Sequence, residues 1–180
     1  MNIILIGFMG SGKSTLGIRL SYRMKQPYID TDKYIEHKTG RTISEIFETD
    51  GEPAFRLMET EALQELLSDG IRDHIIATGG GMPMDPANHG LLKQLGVVVW
   101  LRIRPETVLE RLGNDTKRPL LQREDRETVI RELMQERAPM YEKCSDMIVD
   151  VDDKKVERIM DEIFTKSRGV WKRKKRMRYE

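Results

Sequence analysis

The chain of 180 residues contains one cysteine, Cys144, so no intrachain disulfide can form. Its place in an expected helix makes it a small core residue. No apolar run approaches the length of a membrane span, and no membrane partner is expected. The opening "MNIILIGFMG" lacks a basic leader and runs straight into a glycine loop. It is read as the start of a folded domain, not a signal peptide, and a cytoplasmic protein is expected. Neither D-x-x-G nor N-K-x-D occurs, which removes the switch and guanine-reading parts of a GTPase. A second nucleotide-binding motif, an internal repeat and a long mechanical domain are absent as well.

What is present is enough for one domain with its own core: 38% of the residues are hydrophobic. The formal net charge of +1 conceals an asymmetry. From Lys166 onward there are eight Lys or Arg and one acid, Glu180, leaving 23 bases against 29 acids in residues 1–165. Such a basic end, without an evident apolar period, is expected to be a disordered tail over 166–180. Nucleic-acid contact is a weaker reading of it than simple solvation.

Five short apolar runs read as strands: Ile3–Gly7, Pro27–Asp30, His74–Thr78, Val97–Leu101 and Met147–Val151. Most are continuously apolar, as strands buried on both faces of a parallel sheet are. Helical patterns lie between them. Lys13–Met24 follows the first loop, and Thr42-Ile43-Ser44-Glu45 has the form of a capping box. Asp50-Gly51 interrupts, and Pro53 suits the first turn of the next helix. Arg126–Tyr141, broken near Pro139, and Val156–Phe164 complete the set. This alternation implies a doubly wound α/β domain over residues 1–165. The polar, basic segment 113–125 reads as a surface loop or lid.

"GFMGSGKST", Gly7 to Thr15, matches G-x-x-x-x-G-K-[ST] between a strand and a helix. Its glycines let backbone N–H groups turn inward on a phosphate chain. Lys13 reaches the terminal phosphates, and the Ser14 hydroxyl is placed to ligate Mg²⁺. The chain is therefore expected to bind a nucleoside triphosphate. The third strand ends in Thr-Gly-Gly-Gly without a carboxylate, whereas the second, "YIDTD", supplies Asp30 and Asp32. Two positions apart on an extended segment, both face one site; one can organise the metal and the other accept a proton. The competing reading makes Asp32 the N-cap of a helix starting near Lys33. Arg56, Arg118 and Arg137 point to an anionic acceptor, because a guanidinium fork suits a carboxylate or phosphate. The run Gly79-Gly80-Gly81 marks a place where something comes too close for a side chain.

Together these residues resemble the shikimate kinases. "GFMGSGKSTLG", "YIDTDKYIE", "GRTISEIFETDGEPAFRLME", "ATGGGMP", "RPLL" and "ERAPMYE" occur in that family's order and near its spacing. The resemblance implies a three-layer fold, a five-stranded parallel sheet flanked by helices, of the P-loop nucleoside-monophosphate-kinase type. It implies transfer of the ATP γ-phosphate to the 3-hydroxyl of shikimate with Mg²⁺, a step of aromatic amino-acid biosynthesis, by a monomer. Gly10, Ser11, Gly12, Lys13, Ser14 and Thr15 would hold the ATP phosphates. Ser14 and, through water, Asp30 would hold the metal. Asp32, Arg56, Gly79, Gly80, Gly81 and Arg137 would hold shikimate, with Glu59 orienting Arg56. Arg118 would reach the phosphates from the lid, and Arg111 would lie beside adenine. Lys13, Asp32 and Arg118 would carry the catalysis. In this reading the glycines make room for the acceptor ring. Two rivals are a gluconate- or nucleotide-type small kinase and a nucleic-acid-binding regulator anchored by the basic tail.

Overall fold

The computed structural model describes residues 1–112 and 125–177. The expected lid and its Arg118 thus fall outside the described residues, except for Asp125. Five strands, β1 (Ile3–Ile6), β2 (Tyr28–Asp30), β3 (Ile75–Ala77), β4 (Val97–Arg102) and β5 (Met147–Asp150), form one sheet in the order β2-β3-β1-β4-β5. Every pairing is parallel; Ile3 on central β1 aligns with Ile75 on one side and Val97 on the other. The continuous apolar runs have the expected cause. All four residues of β1 and the first five of β4 are buried, covered by helices on both faces.

Eight helices are described: α1 (Lys13–Met24), α2 (Thr31–Thr39), α3 (Ile43–Thr49), α4 (Gly51–Ser68), α5 (Pro86–Leu95), α6 (Pro105–Leu112), α7 (Arg126–Cys144) and α8 (Val156–Met177). The Thr42–Glu45 capping box forms as its sequence demands, with both reciprocal bonds, and Pro53 lies in the first turn of α4. A satellite core of Ile35, Ile46, Phe55 and Ala62 ties α2, α3 and α4 together beside the main core. None of the described helices is long and apolar enough to cross a membrane.

Two expectations are corrected. α7 does not break near Pro139: it continues to Cys144, with Ile130, Tyr141 and Cys144 buried on its inner side. That packing outweighs the one N–H the proline removes. The basic segment is not a disordered tail as far as Met177. It is the end of α8, which buries Ile159, Met160, Ile163, Ser167 and Val170. One turn further on, Lys174 donates to the carbonyls of Lys93 (3.0 Å) and Gly96 (2.7 Å) and to the Asp146 carboxylate (2.6 Å). Its ammonium thus caps the end of α5, where unpaired carbonyls collect negative potential.

Candidate active site

At the carboxyl ends of the strands the chain leaves a cleft of about 700 Å³. Its floor is the loop after β1. Gly7, Gly10 and Gly12 have φ of 144°, 76° and 91°, values that side chains other than glycine rarely adopt. A Cβ on Gly7 would also stand 2.7 Å from the Leu101 carbonyl oxygen. α1 then starts at Lys13 with no side-chain cap and no acid in its first turn, so its N–H groups and positive end face the cleft open to an anion. Lys13 folds back over the loop, donating to the carbonyls of Gly7 (2.8 Å) and Phe8 (3.0 Å).

β2 ends at Asp30, whose Oδ2 lies 3.4 Å from the Ser14 hydroxyl and 3.3 Å from the Tyr28 hydroxyl. Its Oδ1 accepts from the backbone N–H groups of Asp32 (3.1 Å) and Lys33 (3.3 Å). The helix cap is therefore Asp30, and Asp32 is already inside the first turn of α2. The two acids do not alternate along a strand as the sequence pattern implied, yet both line the cleft. Ser14 and Asp30 together offer a hydroxyl and a carboxylate, the hard oxygen donors that Mg²⁺ takes. Among the described residues no three His, Cys or acidic side chains cluster to cage an ion. The pair fits a metal that relies on substrate phosphates for its remaining ligands.

Asp32 has no part in the cap. Its Oδ1 is buried without a hydrogen-bond partner. Burial first, and then the Asp30 charge, push its carboxyl up to about 6. Across from it stands Glu59 of α4, fully buried, whose Oε2 accepts from Arg56 Nη1 at 2.6 Å while Oε1 has no partner. Burial outweighs the pull of Arg56 and raises Glu59 to about 7. Arg56 is held from a second side, with Nε (3.1 Å) and Nη2 (2.7 Å) donating to Glu52 one turn earlier.

The site's own charged groups crowd two of the three glycines. A Cβ on Gly79 would stand 2.6 Å from Asp32 Oδ1 and 2.9 Å from Glu59 Oε1, and one on Gly81 would strike the Arg56 guanidinium, 2.6 Å from its Cζ. The bare backbone thus admits the site's own charged groups. Only Gly80 leaves space, its nearest neighbour being the Gly7 carbonyl oxygen at 3.4 Å. The Gly79 N–H donates to the buried Thr31 hydroxyl at 3.1 Å. The Gly80 carbonyl accepts from the Tyr141 hydroxyl at 2.6 Å. Burial lifts that phenol to about 12, so it stays a donor.

Arg137 of α7 enters the same cleft with its guanidinium 5.7 Å from the Phe8 ring centre. Arg111, at the end of α6, donates to the Gly10 carbonyl at 3.0 Å and closes the opposite end. Gly10, Ser11, Gly12, Lys13, Ser14, Thr15, Asp30, Asp32, Arg56, Glu59, Gly79, Gly80, Gly81, Arg111 and Arg137 all line one cavity. Sequence reasoning missed Thr31, Tyr141, Glu52 and the apolar wall of Ile43, Phe47 and Phe55. Glu52 and Phe55 lie inside "GEPAFRLME" and were open to the same attention as Arg56. Thr31 and Tyr141 act through the backbone and leave no signal in spacing.

An uncapped phosphate loop, a hydroxyl–carboxylate pair beside it, and a second compartment with arginines and a raised carboxylate define a P-loop kinase of small acceptors. The comparisons narrow the class. The family model for shikimate kinase matches residues 9–168. The shikimate kinase of Caldanaerobacter subterraneus subsp. tengcongensis is 41% identical over 163 residues, covering 91% of this chain and 94% of the relative. That of Francisella tularensis subsp. novicida is 42% identical over 164 residues, covering 91% and 93%. The structure of shikimate kinase from Acinetobacter baumannii in complex with shikimate superposes with a TM-score of 0.82 at 39% identity, covering 91% of this chain and 90% of that one. This chain belongs to the shikimate kinase family.

Proposed function

We propose that the chain transfers the γ-phosphoryl group of ATP to the 3-hydroxyl of shikimate, releasing ADP and shikimate 3-phosphate. The observation that carries this reading is the single cleft with a phosphate-loop end and a second end walled by Arg56, Arg137, Asp32 and Glu59. In it the N–H groups of residues 10–15 cradle the triphosphate, and Lys13 leaves its two loop carbonyls for the β- and γ-phosphates. Ser14, and Asp30 through water, would hold Mg²⁺. When bound, the ion offsets phosphate charge.

Arg56 and Arg137 take the acceptor carboxylate, and Glu59 and Glu52 fix the angle of the Arg56 fork. Asp32 accepts the proton as the hydroxyl oxygen bonds to phosphorus and the bond from phosphorus to the ADP oxygen breaks. A carboxylate raised to about 6 is still ionised at neutral pH and is a stronger base than an exposed aspartate. Arg118, outside the described residues, is assigned to the transferring phosphoryl group, as its place in "RPLL" implies. All these roles are filled within one chain, and we take the working enzyme to be a cytoplasmic monomer. A nucleotide acceptor would call for a base pocket, not two guanidinium groups around a carboxylate.

The test is a coupled assay of ADP release with shikimate, quinate, gluconate and nucleoside monophosphates in Mg²⁺ buffer. Shikimate should raise turnover far above the acceptor-free rate. Equal rates with and without shikimate would overturn the proposal.

A further inference from the structure

α8 has two unlike sides. Ile159, Ile163, Ser167 and Val170 face the domain, and Lys174 continues that side inward to Lys93, Gly96 and Asp146. The other side of its last turns carries Arg168, Lys172, Lys175 and Arg176, all exposed. Their i, i+4, i+7, i+8 spacing places them on one face, in a stripe about 12 Å long at 1.5 Å per residue. No acid occurs in the sequence between Glu162 and Glu180. None of the four lines the catalytic cleft.

We infer that this stripe docks on the phosphate backbone of a nucleic-acid duplex without reading its bases. Four cations gathered on one face of a rigid helix suit a run of phosphates, the element that supplies sequence-independent affinity. The observations disfavour the two other polyanionic surfaces. An amphipathic helix lying in a bilayer must bury an apolar face there, and the apolar face of α8 is already spent on the domain. Single strands are held by stacking on open aromatic rings. Trp171 is packed against the main core, with Lys175 Nζ 5.7 Å from its ring centre, and the Phe164 ring has Arg168 Cζ at 5.4 Å. The acids of residues 1–165 repel the same partner, which confines contact to this end and makes it weak and steeply salt-dependent.

Four phosphate contacts give a slope of about −3.6 in log affinity against log salt, so raising salt from about 50 to about 200 mM should weaken binding about 10²-fold. The measurement is fluorescence anisotropy of a short labelled DNA duplex, with the full chain and with R168Q/K172Q/K175Q/R176Q. Lys174 is kept so that the helix end stays anchored, and circular dichroism checks the fold. The full chain should show the steep slope, and the quadruple variant should lose at least 10-fold in affinity with a slope shallower than about −1. Should the quadruple variant fail to fold, R168Q/K172Q and K175Q/R176Q should each remove about half of the slope. Three results would overturn the inference: no duplex binding at low salt, equal binding by the variants, or preference for single strands or phosphatidylserine vesicles over the duplex.

Discussion

Gly79→Ala distinguishes the observed crowder from an acceptor ring. The new Cβ would sit 2.6 Å from Asp32 Oδ1 and 2.9 Å from Glu59 Oε1. Reaching ordinary van der Waals separation, about 3.4 Å, requires shifts of roughly 0.8 and 0.5 Å (3.4 − 2.6 and 3.4 − 2.9). Neither carboxylate has an easy retreat: Glu59 is fully buried on an ion pair with Arg56, and Asp32 is fixed in the first turn of α2. Overpacking of this size costs about 1–3 kcal/mol, or about 2–12 °C in Tm for a chain of this length. Misplacing a base by most of an ångström should lower kcat about 10²-fold. ATP affinity should hold within about 2-fold, because the phosphate loop is untouched. Thermal unfolding without ligands and steady-state kinetics with shikimate varied supply the readouts. Gly80→Ala is the control: its Cβ has 3.4 Å to the nearest atom, so the free enzyme should unfold as the parent does, and any loss should appear in the shikimate KM. If Gly79→Ala kept the parent's Tm while only its shikimate KM rose, the site's own carboxylates would not be the crowder and the acceptor would be.

Arg56→Lys keeps the charge but loses the fork that Glu52 and Glu59 orient; shikimate kcat/KM should fall roughly 5- to 160-fold, the equivalent of about 1–3 kcal/mol, and titration of ATP alone should show no change. Asp32→Asn preserves shape but takes no proton. Turnover should collapse while the fold survives, since the cap is Asp30, and turnover within a few-fold of the parent would remove Asp32 from the chemistry. In the parent, kcat/KM should decline as pH falls through about 6, because protonation of Asp32 removes the base, and the Asp32→Asn residual rate should lack that limb. Lys174→Met leaves Asp146 and two carbonyls without their shared ammonium. A loss of about 2–3 kcal/mol, about 4–12 °C in Tm, is expected with kcat unchanged, and an unaltered Tm would mean the end of α8 is only loosely attached.

The parts legible in the sequence were those whose physics is local. A phosphate loop needs glycines at fixed offsets, a capping box needs its Thr and Glu three apart, and buried parallel strands need unbroken apolar runs. Each is written within a few residues. Errors came where distant residues decide. "YIDTD" holds two acids, either of which could cap α2. The choice fell to Asp30 because β2 is only three residues long and ends there, leaving Asp32 to approach Gly79 from a helix turn. The triple glycine announced a close approach but not by what, since Glu59 and Arg56 arrive from α4, some twenty residues earlier in the chain.

The basic end misled for a related reason. Composition counts its lysines as solvated, but an inward position on α8 can hold a lysine when backbone carbonyls are there to receive it. Ile159, Ile163, Ser167, Val170 and Lys174 do keep a helical period of three or four, in which two of the five residues are polar. Ser167 is buried with its hydroxyl turned back to the Phe164 carbonyl at 3.2 Å, and Lys174 reaches the carbonyls that end α5. An apolar-only period stops at Ile163, whereas one that admits polar groups with a backbone partner runs on through Ser167 to Lys174. The same distinction governs the active site, where Thr31 and Tyr141 fix the glycine strand end through single bonds to its backbone. In both places a buried polar side chain does what an apolar one does in the core, and its partner lies too far along the chain for spacing to reveal.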